Sequence, residues 1–267
     1  SSQAIGSVPY REGVFNTWND PAKFGLFYHS ALLLRRGDVK EANKSYGIKV
    51  KNMALTPGKI PALSLITEKH KAGLILDSNE KDCKDFDNDI VNNVISPDER
   101  VADIDKGEVL SDTGELYRSW DKRIGWIDSE RTKAIYGFVG SVPCIDLKDV
   151  SLEVKTDFAT IAMSSLTDKP IYLSDNILLT TVGRSKNTDM KFNEEHNIML
   201  EVGRPPILVE VIEAEIRIKT EIETLKVWAV NAEGFFAGVV PSTYENGILK
   251  FKLGERFASM YYLIQAE

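Results

Sequence analysis

The stretch at residues 105–192, DKGEVLSDTGELYRSWDKRIGWIDSERTKAIYGFVGSVPCIDLKDVSLEVKTDFATIAMSSLTDKPIYLSDNILLTTVGRSKNTDMKF, decides the fold. Short runs of Val, Ile, Thr, Phe and Tyr alternate there with Gly, Pro, Asn and Asp. β-Branched and aromatic residues suit a pleated, half-buried surface, and the punctuation suits tight turns. The stretch therefore predicts a sheet that folds back on itself repeatedly. Strands are expected at 108–110, 116–120, 126–129, 132–139, 150–155, 160–166 and 177–183. Beyond a polar loop at 186–197 the rhythm resumes at 198–202, 207–211, 214–218, 224–230, 238–241, 248–253 and 261–265. Asn246-Gly247 is a hairpin signal, because two left-handed residues match the twist of the flanking strands. The expected class is mainly β: packed antiparallel sheets, sandwich or jelly-roll-like, with one N-terminal amphipathic helix.

That helix is read at the front. Asp20 can cap free backbone N–H groups, and Pro21 suits the first helical position. Phe24, Phe27, Tyr28, Ala31, Leu32 and Leu34 follow at helical spacing. Arg35 and Arg36 suit the negative end of the dipole, and Gly37 ends the element. The apolar stripe is wide and calls for a partner surface. Between this helix and residue 105 the pattern gives strands at 47–53 and 72–76, a short helix near 62–69 and an acidic excursion at 77–106 with a short helix at 86–94. Pro205-Pro206 after Gly203 marks the best internal boundary. The expected organisation is a 1–45 extension carrying the helix, a 46–206 β domain and a small 207–267 β unit.

The chain has 267 residues, 43% hydrophobic and 27% charged, ordinary values for a globular protein with a sizeable core. A formal net charge of -7 argues against non-specific nucleic-acid binding, which needs a basic surface. No apolar run reaches the ~20 residues of a membrane-spanning helix. Two cysteines, Cys83 and Cys144, cannot build a disulfide framework and read as separate thiols, one bridge between them being the alternative. The start at Ser1 is neither an initiator Met nor a signal peptide, which raises the expectation of a piece of a longer polypeptide. Secretion and a cytoplasmic location both stay open.

No stretch carries a catalytic signature. Asp112-Thr113-Gly114 matches the triplet of aspartic proteases, but Ser111 precedes it where an apolar strand residue is needed, and Asp-Thr-Gly is also good turn chemistry. Asp82, Asp85, Asp87 and Asp89 crowd the excursion, yet an EF-hand loop from Asp85 fails with Ile90 at the glycine position and Ser96 at the bidentate one. His29, His70 and His196 stand apart; His29, inside the helix, reads as a packing or capping group. No metal, cofactor or nucleotide site is predicted. Aromatics can stack on sugar faces, and Trp18, Trp120 and Tyr244, all near turns, are the carbohydrate-binding candidates. Trp126 and Trp228 sit in apolar strand patterns and are expected in the core.

Several phrases recur together in order: Ser111-Asp112-Thr113-Gly114-Glu115 with Trp120-Asp121, then 128–138, then ILLTTVGRSKN at 177–187, and the ending GVVPSTYENGILKFKLGERFASMYYLI at 238–264. With Asn19-Asp20-Pro21-Ala22-Lys23 through Arg35-Arg36-Gly37-Asp38-Val39, they resemble the C-terminal accessory β-sandwich region, with the last barrel helix, of large bacterial TIM-barrel glycoside hydrolases. The resemblance implies a non-catalytic β region of a polysaccharide-degrading enzyme. It would support an upstream catalytic barrel or the side of its substrate cleft, with a polysaccharide as the candidate ligand. Catalytic carboxylates of such enzymes sit on barrel strands, so none is carried over to any position here. A carbohydrate-binding module and a small stand-alone glycoside hydrolase are the alternatives.

Overall fold

The computed structural model describes residues 21–50, 63–76, 94–95, 106–195 and 198–267. Trp18, Asp20, Cys83, His196, the aspartates at 82–89 and most of the expected helix at 86–94 lie outside the described residues. The fold is mainly β, as the sequence predicts, with antiparallel sheets and an N-terminal helical segment. The chain divides into two compact units, one made of residues up to Asp38 with those from Ser129 onward, the other of Val39–Asp128. The sequence expectation set its boundaries at 45 and 206 instead. Pro205-Pro206 falls inside a strand, and strands on both sides of it share sheets.

The helical segment has two pieces, α1 (Pro21–Phe24) and α2 (Phe27–Arg36). They meet at Gly25, where an added Cβ would come within 2.9 Å of Met260 Cε and 2.7 Å of the Pro21 carbonyl oxygen. Glycine there lets the segment lie close to its neighbours. Gly37 ends α2 at φ +59°, its N–H donating to the Leu33 carbonyl.

In the Val39–Asp128 unit, β1 (Ser45–Val50) is flanked in parallel by β2 (Lys71–Leu76) and β3 (Val94–Ile95). Parallel neighbours need a crossover, and α3 (Leu63–Lys69) lies between β1 and β2. β4 (Glu108–Leu110), β5 (Leu116–Ser119) and β6 (Ile124–Asp128) form an antiparallel meander. Its register sets Leu110 opposite Tyr117 and Tyr117 opposite Trp126. On the other face Val109 joins Leu65 of α3 in a small core, with Trp120 packed against it.

The other unit continues with β7 (Thr132–Gly137), β8 (Ile145–Asp146), β9 (Val150–Val154), β10 (Ala159–Ser165), β11 (Asn176–Val182), β12 (Ser185–Thr188), β13 (Lys191–Phe192), β14 (Met199–Glu201) and β15 (Arg204–Val209). Then follow β16 (Ala214–Lys219), β17 (Leu225–Val230), β18 (Phe236–Val240), β19 (Ser242–Glu245), β20 (Ile248–Leu253) and β21 (Tyr261–Ala266). One antiparallel sheet runs β18-β17-β21-β11-β10-β7 and a second β19-β20-β16-β9-β8, while β12 pairs with β15 and β13 with β14. Burial alternates residue by residue along β9, β16, β17 and β20. Period-two patterning thus turns Leu152, Ile216, Phe251, Val227 and Ile264 inward, all at 2% exposure or less. Each such side chain contributes about 1.5–3 kcal/mol over leaving it in water. Asn246 and Gly247 join β19 to β20 at φ +52° and +79°, the left-handed pair that the sequence predicts.

Candidate functional site

Two concave sites are lined by described residues of the Val39–Asp128 unit. The first is organised by Asp112. The turn from Ser111 closes when Gly114 N–H donates to the Ser111 carbonyl at 2.9 Å. This holds Asp112 facing three donors: the backbone N–H groups of Asn43 and Lys44, both at 2.9 Å, and His70 Nδ1 at 2.8 Å. Asn43 Nδ2 donates to the Asp112 carbonyl, and Asp112 N–H donates to that of Lys69. Burial pushes the Asp112 carboxyl upward, but the donors from His70, Asn43 and Lys44 outweigh it and hold it below the usual carboxylate range. The carboxylate is thus ionised and holds three donors. It clamps three chain segments rather than sharing a proton, so Asp112-Thr113-Gly114 serves here as a turn and an anchor. Tyr46 packs edge-on against the His70 ring, centroids 5.0 Å apart. Beside the clamp, His70, Ser111, Thr113 and Leu116 help line a cavity of about 360 Å³.

The second site sits on the meander. Tyr117 and Trp126 stack with centroids 3.6 Å apart and planes 16° from parallel. Tyr117 Oη donates to Glu108 Oε2 at 2.6 Å. Burial, together with that carboxylate, raises the Tyr117 phenol above its ordinary value. Trp126, the more exposed of the pair, lines a cavity of about 310 Å³ with Glu108, Leu110, Lys69 and Lys106. Aromatic area, a carboxylate and two ammonium groups converge on one hollow.

In the other unit, α2 presents His29 to the sheet. His29 Nδ1 lies 2.8 Å from Ser164 Oγ, and Nε2 lies 2.7 Å from Thr180 Oγ1. Ser164 Oγ is 2.9 Å from Thr132 Oγ1, which itself donates to Asp38 Oδ2 at 2.9 Å. Because the Thr132 proton is committed to Asp38, Ser164 must donate to Thr132, which leaves Ser164 to accept from His29 Nδ1–H. Nε2 then accepts the Thr180 hydroxyl proton, and one tautomer of neutral imidazole is selected. Burial lowers the His29 pKa to about 4. Arg36 Nη2 donates to Asp38 Oδ2 at 2.6 Å. Arg131 Nε approaches Oδ1 at 2.9 Å as an ion contact, off the hydrogen-bonding line. The packing role that the sequence gives His29 is what this polar anchor provides. Most of the apolar stripe points elsewhere: Phe24, Phe27, Tyr28 and Leu34 are 39%, 55%, 54% and 85% exposed, while Ala31 and Leu32 are half-buried.

Of the carbohydrate-binding candidates, Trp18 lies outside the described residues. Trp120 is half-buried against Leu65 and Val109, with the Arg118 guanidinium 5.3 Å from its ring centroid. Arg118 is in turn held by both carboxylate oxygens of Glu68 at 2.7 Å. Tyr244 is half-buried on β19, its Oη donating to the Thr220 carbonyl at 3.2 Å. Trp120 and Tyr244 fall in different units. Trp126 and Trp228, expected in the core, are both half-buried, because strand alternation gives the core positions to Val227 and Ala229 and turns Trp228 to the opposite face. Cys144 is a free, half-buried thiol, which burial and nearby Asp146 push up. Among the described residues no group of three or more His, Cys, Asp and Glu is placed to hold a metal ion. No described helix is long and apolar enough to cross a membrane. The Tyr117–Trp126 site was legible only through register: the turn at 120–123 sets position 117 opposite 126. The Asp112–His70 contact spans 42 positions and has no sequence signal. Comparison with models of known protein families, with curated proteins and with solved structures gives no match for this chain.

Proposed function

We propose that this chain is a non-catalytic β region of a polysaccharide-degrading glycoside hydrolase, with an upstream catalytic barrel covering the outer face of α1 and α2. The observation that carries this reading is the orientation of that helical segment. The one fully buried side chain of α2 is polar, His29, and Arg36 bonds the Ser165 carbonyl, while Phe27, Tyr28 and Leu34 face outward on a folded unit. An amphipathic helix normally buries its apolar side. A helix anchored by its polar edge keeps the apolar side for another surface, and the outer helix ring of a barrel would be one. The ordered motif resemblance supplies the identity of that surface.

The test is twofold. The purified chain, assayed on panels of soluble polysaccharides and aryl glycosides, is expected to give no turnover. Turnover that disappears on substituting one carboxylate among these residues would overturn the proposal. In the polypeptide extended upstream, Phe27→Ser with Leu34→Ser is expected to loosen the barrel, read as a lower Tm and faster proteolysis. The same pair in this chain alone is expected to shift stability by no more than about 0.5 kcal/mol each, as exposed substitutions do. Equal effects in both contexts would show that nothing covers the face.

A further inference from the structure

We infer that the hollow on the β4–β6 meander is a binding site for a pyranose ring of a glycan, with Trp126 as its platform and Glu108 and Lys69 as its hydrogen-bonding rim. The inference rests on this pocket alone and does not depend on what covers the helix. Its floor is aromatic. Tyr117 stacks on Trp126 from one side and is itself buried, so it fixes the indole as a rigid support. A rigid ring costs little conformational entropy when a ligand lands on it, and the C–H face of a sugar is the apolar complement of such a ring.

Its rim is made of groups that bond hydroxyls. The Glu108 carboxylate accepts the Tyr117 phenol proton at Oε2, and its second oxygen has lone pairs for a sugar O–H. Lys69, at the end of α3, lines the same hollow and can donate to hydroxyl oxygens. The cavity, about 310 Å³, lies at the small end of the ~300–1,000 Å³ range of ligand pockets. That suits one or two sugar rings. A nucleobase stacks on the same kind of indole face, so adenosine serves as the competing probe. Neither Trp120 nor Tyr244, the described candidates named from sequence, is among its described lining residues.

The probe is affinity electrophoresis of the whole chain in gels cast with soluble polysaccharides: β-glucan, xylan, mannan, starch and polygalacturonate. An oligosaccharide of any polymer that retards the chain is then titrated by tryptophan fluorescence. At least one polymer is expected to retard migration, and the neutral and uronate arms report which sugar class the lysine favours. Trp126→Ala is expected to weaken binding about tenfold, equivalent to ~1.4 kcal/mol. Trp126 also packs on Tyr117, so two rim variants guard against a folding artefact. Glu108→Gln, which can still accept the phenol proton, and Lys69→Met are each expected to weaken binding at least threefold with an unchanged Tm. Trp228→Ala, in the other unit, should leave binding intact. The inference is overturned if no polymer retards the chain, if both rim variants bind at full strength, or if adenosine quenches the tryptophan signal where no sugar does. Turnover of a polymer that one carboxylate substitution abolishes would sink the non-catalytic reading and leave this one standing.

Discussion

Replacing His29 with leucine tests the buried polar anchor, because it removes a titratable group while keeping roughly its volume. In the folded chain His29 is 3% exposed and holds a proton only near pH 4, whereas an imidazole in the unfolded chain titrates at 6.5. Between those values the unfolded state binds more protons, so stability falls as pH falls. The contribution is fully present above 6.5 and is lost as pH drops through about 4. From the two pKa values, His29 alone removes about 2 kcal/mol between pH 7 and pH 5 and about 3 kcal/mol by pH 4. At neutral pH the leucine variant strands the Thr180 hydroxyl and should be less stable by about 1–3 kcal/mol. The two stability curves should therefore converge near pH 5, and the variant should win below it. Urea unfolding followed by far-ultraviolet circular dichroism, at half-unit steps from pH 4 to pH 7.5, gives both curves. Their difference cancels every carboxylate that titrates alike in both proteins. Parallel curves across that window would refute the burial of a neutral His29.

Asp112→Ala should cost about 3 kcal/mol, since two backbone N–H groups and His70 lose a charged acceptor, measured as the urea midpoint at pH 7. The Asp112 carboxyl is held below the usual range, so its contribution is present above that range and lost as pH falls beneath it; the gap between wild type and Asp112→Ala should narrow in acid. Gly247→Ala places a side chain at φ +79° and should destabilise by about 1–2 kcal/mol, seen as a lower Tm. A neutral result would mean that the β19–β20 turn relaxes to another type.

Strand existence was largely legible because each inward residue is separated by one outward residue along β9, β16, β17 and β20. Where burial is weak the signal fails. β12 (SKNT) and β13 lie in a stretch that reads as a polar loop, and β8 and β19 are short edge strands. The parallel arrangement of β1 with β2 was hidden too, since alternation carries no strand direction; only the intervening α3 hints at a crossover. The division into units was not legible for a related reason. Pro205-Pro206 punctuates the chain locally, whereas β16 pairs back with β9 at least 60 positions away in sequence. At the sites, Trp126 reads as core from its apolar neighbours. Only the register of the meander shows it sharing a face with Tyr117 and Leu110. Asp112 and His70 meet because β2 and the turn after β4 converge, and neither local composition nor spacing encodes that.

The hydroxyl relay beneath α2 has a consequence for how the helix finds its place. Greasy contacts tolerate sliding, because one methyl group substitutes for another at little cost. A chain of donors running from imidazole through Ser164 and Thr132 to Asp38 does not, since each link has one polarity and one length. Moving α2 by one turn, about 5.4 Å, would present Gly25 or Leu33 where the imidazole belongs and leave two hydroxyls and a carboxylate without their sequence of partners. The helix is therefore indexed to the sheet at a single notch. Whatever lies against its outer aromatic face meets those rings at fixed positions.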